Sequence, residues 1–496
     1  MGPRFRAVLA TVLVSVLAAA AGIWLLTGTG GSRSIVVDGV PLNEVHPSGG
    51  GRHAGVVVAH GFAGSARLMA PFGDTLAARG YVVVLLDFAG HGANTTPLPD
   101  ATAGTDASGK ALQHALDVAL AHLRSLPDVD PSRLALVGHS MGATAVTEYA
   151  ANHPDVKATV AISLPDSSDL PPDRPARLLL LAGGLEFANF RTAAQRAAES
   201  GGGERKVVIV PGLEHISILY APRTHREVGS WLDASLGGPA ASGRKAPSPV
   251  RRVGAAGLLL LAFLVGLYPL AWIVFGGDPT RWPRAAVSPL IRVVVLAAAA
   301  AVVGVLVAPI APTINLPLAL GGFVVGFTAT AGIAMLAYHR WRTGTFAASA
   351  PIAAHGRLRL AAAAPVLIGY AAVAIALPLQ LGITYAIPAG ARWWLLAAVW
   401  AGFAVWAYAA ECIAGGNSLG VLAVFAVAVL ALTGAAAVGL TSGFLLLVVP
   451  LLGVLLVWQA IWSAVLHRFA VPSWLIALVG SLVVAWPIAT TLPVVA

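Results

Sequence analysis

The sequence predicts two unlike folds in one chain. An α/β unit, built on a mostly parallel sheet with helices on both faces, precedes an all-α set of membrane-spanning helices. Three observations carry this. Between residues 28 and 240, short apolar runs that read as buried strands alternate with helical runs, the pattern of a covered parallel sheet. From residue 253 onward the chain is almost wholly apolar. The 496-residue chain is 57% hydrophobic and only 11% charged, with a mean hydropathy of +0.80, a membrane-protein composition.

Residues 1–27 begin with Arg4 and Arg6, followed by an apolar run from Ala7 to Leu26. Its length, close to the roughly 20 residues a spanning helix needs, favours an uncleaved transmembrane anchor over a signal peptide cut near Ala18–Ala21. Residues 28–240 are the exported α/β domain. Residues 241–252, rich in small residues, proline and Arg/Lys, read as a basic linker. Residues 253–496 divide into eight further spans: 253–275, 287–308, 316–338, 360–381, 393–413, 419–440, 444–466 and 474–495. His339, Arg340, Arg342, Arg357 and Arg359 fall in the loop after the fourth span, so the positive-inside rule makes that loop cytoplasmic. Counting back and forward places Arg4, Arg6, Arg281, Arg284 and Arg468 on the same side, and only Arg392 on an outer loop. The α/β domain then lies outside, in an integral protein of a bacterial cell membrane. Arg244, Lys245, Arg251 and Arg252 lie outside with it, as a solvated linker or against anionic lipid headgroups. The net charge of +9 sits mostly beside apolar spans, which argues against a nucleic-acid partner. The single cysteine, Cys412, leaves neither an intrachain disulfide nor a cysteine-built metal site.

Within the exported segment, Ile35 to Val45 alternates enough for one or two edge strands. Gly55–Ala59 is a buried strand, leading into His60-Gly61-Phe62 and a helical run to Arg79. Tyr81–Leu86 is the next strand, ending in Asp87 to Gly92, where Gly90 and Gly92 let the loop turn. Ala107–Leu126 is a helix. Leu134–Val137 is a strand and Met141–Asn152 a helix, with Gly138-His139-Ser140-Met141-Gly142 between them. Strands follow at Ala158–Ser163, Ala176–Leu181 and Lys206–Val210. Helices follow at Phe190–Glu199 and Ile216–Leu236. His60, Asp87, Ser140, Glu186 and His215 all fall at or just beyond the carboxyl ends of strands, where open α/β sheets bind ligands.

Gly138 to Gly142 is a G-x-S-x-G elbow with the strand and helix that such an elbow requires. The turn is too tight for bulk at either flank, and the helix N-terminus behind Ser140 offers free N–H groups to a developing oxyanion. With His60-Gly61-Phe62, Asp87 to Gly92 and Gly212 to His215, residues 35–237 resemble an α/β-hydrolase fold serine hydrolase, nearest to its esterase, lipase and serine-aminopeptidase branches. The resemblance implies Ser140 as nucleophile and His215 as base. His60 is then a neighbour of the oxyanion loop, and His139 is the variable elbow residue. The acid is Glu186, a mild departure from the commoner aspartate, or alternatively Asp166. The oxyanion hole is the backbone N–H groups of Phe62 and Met141. No cofactor and no metal is implied, since neither a His-Glu-x-x-His run nor a Walker motif occurs. Only about a dozen residues separate the strands ending near Ser163 and starting near Ala176, an ordinary loop length that predicts a minimal lid or none.

Two function classes follow. One is a membrane-tethered serine hydrolase acting on a small-molecule or lipid-like acyl substrate, with membrane lipids as neighbours. The other is a transport or envelope-assembly membrane protein whose hydrolase-like domain only binds a partner. The spans carry few ionisable groups, Arg292 and Glu411 both near inner ends, which favours a scaffold or lipid-access role over ion-driven transport.

Overall fold

The computed structural model of the chain describes residues 3–27, 32–100, 105–199, 204–237, 246–276, 287–346 and 356–496. Two compact units result. One comprises Leu25–Ala255 with two later returns of the chain, Leu381–Tyr385 and Thr491–Ala496. The other comprises Met1–Trp24, Ala256–Gln380 and Ala386–Thr490.

The first unit is built on one eight-stranded sheet. Its strands are β1 (Arg33–Val37), β2 (Val40–Val45), β3 (His53–Ala59), β4 (Val82–Leu86), β5 (Val129–His139), β6 (Val156–Ile162), β7 (Arg177–Gly183) and β8 (Glu204–Val210), in the order β1-β2-β4-β3-β5-β6-β7-β8. β1 and β2 form an antiparallel hairpin, and β2 runs antiparallel to β4; every later pairing is parallel. The hairpin turn has Asp38 at φ 45° and Gly39 at φ 79°, two consecutive left-handed residues of the kind that match strand twist. After α1 (Pro3–Leu26), the helices α2 (Ala70–Ala78), α3 (Asp106–Ser125), α4 (Met141–Asn152), α5 (Ala188–Glu199) and α6 (Pro222–Leu236) carry the layers. All five residues of β4, Val82-Val83-Val84-Leu85-Leu86, are buried, because helices cover both faces of the sheet. On one face Phe72 and Leu76 of α2 and Val228, Trp231 and Leu232 of α6 pack against Val56, Val58 and Val83. On the other, Leu116 and Leu120 of α3 and Val146 and Tyr149 of α4 pack against Val57, Val84 and Leu136.

The run expected as one helix over Ile216–Leu236 is broken. Ser217–Tyr220 is a 3-10 turn, Ala221 is extended (φ −75°, ψ 125°), and α6 starts afresh at Pro222. Proline lacks the N–H a continuing helix needs, and it drives the residue before it out of the helical region. The helix expected to run up to Arg79 begins only at Ala70.

The remaining helices are α7 (Arg251–Phe275), α8 (Val287–Val307), α9 (Gly321–Thr343), α10 (Arg357–Gly382), α11 (Arg392–Ala414), α12 (Ser418–Ala437), α13 (Leu445–Arg468) and α14 (Ser473–Thr491). With α1, nine described helices are long and apolar enough to cross a membrane, and those of the C-terminal part fit a membrane domain. The span expected at 316–338 is displaced to α9, because the proline-containing segments Ala308–Ile310 and Pro312–Asn315 form 3-10 turns before it. The last span stops at Thr491 rather than 495. Beyond Pro493 the chain is extended: Val494 N–H donates to Gly90 O (2.9 Å), Leu98 N–H to Val494 O (2.9 Å) and Ala496 N–H to Leu98 O (2.9 Å). The other return, at 381–385, is tied by the Ser65–Thr384 hydroxyl pair (2.9 Å), by Asn43 Nδ2 to Tyr385 Oη (2.9 Å) and by Arg67 over the Tyr385 ring. Of the linker cations, Arg244 and Lys245 lie outside the described residues, as do Arg281 and Arg284. Arg252 forks onto the Asp74 carboxylate (2.8 and 3.2 Å), and Arg251 donates to the carbonyls of Leu25 and Thr27. Arg392 is buried and donates to Ala489 O at 2.8 Å.

Candidate active site

β5 feeds α4 through the elbow. Ser140 has φ 52° and ψ −117°, a left-handed position that non-glycine residues rarely hold. The flanking glycines are obligatory. A Cβ at Gly138 would sit 2.2 Å from Gly142 O, and one at Gly142 would sit 2.5 Å from His60 O. The loop after β3 runs against the elbow, since a Cβ on Gly61 would lie 3.0 Å from Ser140 Cβ. Phe62 is therefore next to the elbow in the chain that touches it. Met141 is the first residue of α4, so its N–H has no acceptor in the helical ladder.

His215 lies beyond β8 and Glu186 beyond β7. His215 Nδ1 and Glu186 Oε1 are 2.9 Å apart, and both residues are buried. Glu186 Oε2 accepts from Gly183 N–H at 2.9 Å, which fixes the carboxylate on its turn. The Phe190 ring packs 4.6 Å from the His215 ring. Asp166 is exposed. Its carboxylate accepts from Ser167 N–H, Ser168 N–H and the Ser168 hydroxyl, and the hydroxyl bond above all holds its pKa below the usual range. The β6–β7 connection contains no helix.

Two further residues were not assigned these roles from the sequence. His139 is buried, its ring 4.7 Å from that of His215, and its Nε2 is 3.0 Å from His215 O. Since a carbonyl only accepts, Nε2 carries the proton. Burial, followed by the neighbouring His215, pushes its pKa well down, so the ring is neutral. His139, the residue before Ser140, thus holds the backbone of His215. Asp87, fully buried, accepts from Ala66 N–H (2.7 Å) and Ala93 N–H (3.2 Å), joining the loop after β3 to the loop after β4. Gly92 makes room for it: a Cβ there would fall 2.1 Å from Asp87 Oδ1. His60 donates from Nδ1 to Gly61 O and accepts at Nε2 from Phe88 N–H. For His139 and Asp87 the signal in the sequence is their place at strand ends.

Burial also lowers the pKa of His60 and of His225 to about 4. Both are neutral in the folded chain, whereas the unfolded chain protonates them near 6.5. Folding stability is then full above about pH 6.5 and is lost as pH falls towards 4, because only the unfolded state gains protons in that window. Each histidine should cost about 2 kcal/mol by about pH 5. Thermal unfolding of the full-length protein in detergent, followed at neutral pH and near pH 5, checks this. An unchanged midpoint would contradict the two buried neutral rings.

A parallel sheet flanked on both faces, with a strained serine elbow leaving its central strand, is the α/β-hydrolase fold. The comparisons of sequence agree. Residues 50–215 match the family described as serine aminopeptidase, S33. The chain is 29% identical over 148 residues to cutinase 1 of Thermobifida cellulosilytica, covering 28% of this chain and 53% of that one. It is 28% identical over 212 residues to an uncharacterised protein of Mycobacterium tuberculosis, covering 37% and 72%. The chain spans about half the length of the cutinases it matches. Among solved structures, a serine hydrolase without lid from Xanthomonas campestris is 20% identical, with a TM-score of 0.34 over 42% of this chain and 96% of that one. A CIB-like hydrolase from Thermoplasma acidophilum is 17% identical, with a TM-score of 0.34 over 41% and 98%.

Proposed function

We propose that the chain is a membrane-embedded serine hydrolase that cleaves an ester, thioester or amide bond of a lipid-like acyl substrate on the exported face of the membrane. The observation that carries this is the buried His215–Glu186 pair gripped, through His139, by the elbow that presents Ser140. Glu186 holds His215 with its proton on Nδ1, leaving Nε2 to take the Ser140 hydroxyl proton. Ser140 Oγ attacks the acyl carbonyl, and the oxyanion is held by the N–H groups of Met141 and Phe62. His215 returns the proton to the leaving group, and an acyl-enzyme remains. Water then repeats the sequence and releases the acid.

Exposure around the pair supports an acyl chain as substrate. Leu185, Phe187 and Ile216, the immediate neighbours of Glu186 and His215, are all exposed large apolar side chains. The folding pattern also supports the sidedness. The segment after α1, the loop after α10 and the tail after α14 belong to one compact unit. They are separated by four and by eight of the nine apolar helices described, and even numbers of crossings would keep all three on one face. Arg340, Arg342, Arg357 and Arg468 then fall on the opposite, inner face.

The substrate class is tested with the full-length protein carrying Phe187→Ser and Ile216→Ser. kcat/KM for a long-chain acyl ester should fall about tenfold or more, the scale of losing one or two apolar contacts, while that for an acetate ester stays within about twofold. Equal effects on both esters would contradict the lipid-like reading.

A further inference from the structure

In the membrane unit, Glu411 of α11 is 2% exposed, and both of its carboxylate oxygens are engaged by α13: Ser463 Oγ donates to Oε1 at 2.5 Å, and His467 Nε2 is 2.6 Å from Oε2. A carboxylate buried between apolar spans is costly, and it marks a functional site more often than a structural one. Deeper on the same face of α13, one turn beyond Ser463, stands Gln459. It is 4% exposed, and its Oε1 is buried with no hydrogen-bond partner. A leucine would fill that position against Gly480 without leaving an acceptor unmet. Gln459, Ser463 and His467 are spaced i, i+4, i+8, so they form one polar line about 12 Å long, running inward from the end of α13. At that end the His467 ring borders Gly416, where even a Cβ would only touch Cε1 at 3.6 Å.

We propose that Glu411 and His467 form a proton-binding site in the membrane unit, filled from the end of the spans where α11 and α13 terminate. With one proton, the pair is a carboxylate facing an imidazolium or a carboxylic acid facing an imidazole. A second proton, entering through His467, leaves the acid and the imidazolium together, and the new acid proton resides on Oε1. Ser463 can no longer donate there. Its hydroxyl turns one helical turn inward to Gln459 Oε1, the acceptor that now has no donor. No covalent bond forms or breaks, and one proton is taken up for each change of state. A metal ion does not suit the site, because no group of three His, Cys, Asp or Glu side chains gathers among the described residues.

Other titratable groups surround the pair as follows. α12 and α14 bring none, α9 brings Tyr338, His339, Arg340 and Arg342, and α8 brings Arg292. α13 also carries Arg468, whose guanidinium lies over the Tyr268 ring of α7, and α10 carries Arg357, Arg359 and Tyr370, the last against Trp462. On α11 itself, Tyr408 and Cys412 both turn to the Phe346 carbonyl, and Arg392 lies at the far end.

The test is modification by dicyclohexylcarbodiimide, an apolar reagent that attacks protonated carboxyl groups, on the full-length protein in phosphatidylcholine liposomes. Peptide mass analysis reads the fraction of Glu411 modified between about pH 5 and 9. Modification should fall at least fivefold as pH rises. His467→Asn should move the midpoint by about one pH unit or more, and Gln459→Leu, which removes the acceptor awaiting Ser463, should move it as well. A Glu411 that resists the reagent at every pH, or reacts equally at all of them, would overturn the proposal and leave the pair as a clamp between helices. So would a midpoint that neither variant moves. Fluorophosphonate reaction at Ser140 is read on the same samples and is independent of either result.

Discussion

Ser140→Ala should lower kcat/KM for an activated ester on the order of 10,000-fold or more, leaving only what binding and the oxyanion donors supply. Alanine keeps the Cβ that already fits the elbow, so the strained φ of 52° and the close approaches at Gly138 and Gly142 are unchanged. The loss would therefore be chemical rather than structural. Unchanged thermal unfolding beside abolished turnover is the pattern to look for in purified full-length protein. Turnover within about tenfold of wild type would mean that another group attacks the substrate.

Glu186→Gln should cost on the order of 1,000- to 10,000-fold in kcat, and Asp166→Asn no more than about twofold. The reason lies in two hydrogen bonds. Glu186 accepts from Gly183 N–H with one oxygen and faces His215 Nδ1 with the other. Glutamine has a single carbonyl oxygen. If that oxygen serves Gly183, the amide N–H₂ points at His215 Nδ1, which must then become the acceptor, and the proton moves to Nε2, the nitrogen that has to take it from Ser140. If the amide flips, an N–H group meets an N–H group at Gly183. Asp166 offers no such contact, since its oxygens are spent on Ser167 and Ser168 in an exposed turn. Steady-state kinetics of the two variants side by side decide the matter. Equal losses, or a loss confined to Asp166→Asn, would move the acid to the β6–β7 connection.

The parts of this chain that could be read in advance are those governed by local physics. β4 is five consecutive apolar residues, the mark of a strand covered on both faces. α4 begins at Met141 and ends at Asn152 because the elbow dictates its start. Clashes at Gly138 and Gly142 are likewise legible from the tightness of a G-x-S-x-G turn. What could not be read depends on residues far apart in the chain. Val494 pairs with Gly90 across four hundred residues, and an apolar tail beyond Pro493 looks like the end of a span until its partner is seen. The same holds for Thr384 and Tyr385 against Ser65 and Asn43. His139 and Asp87 stood at strand ends with their chemistry visible, but their partners, His215 O and the N–H groups of Ala66 and Ala93, are set by packing. Arg251 and Arg252 read as cations of a solvated linker or as partners of lipid headgroups, yet Arg252 pairs with Asp74, whose place on a helix 178 residues earlier carries no sign of it.

The central claim is that a hydroxyl on this elbow is made reactive by a neighbouring imidazole. Reaction of the full-length protein in membranes with a fluorophosphonate, followed by peptide mapping, tests it most directly. One adduct on Ser140, absent after heat denaturation and strongly reduced in His215→Ala, is the predicted result. A natively folded protein that stays unmodified, or that carries the phosphonate on another serine, would contradict it.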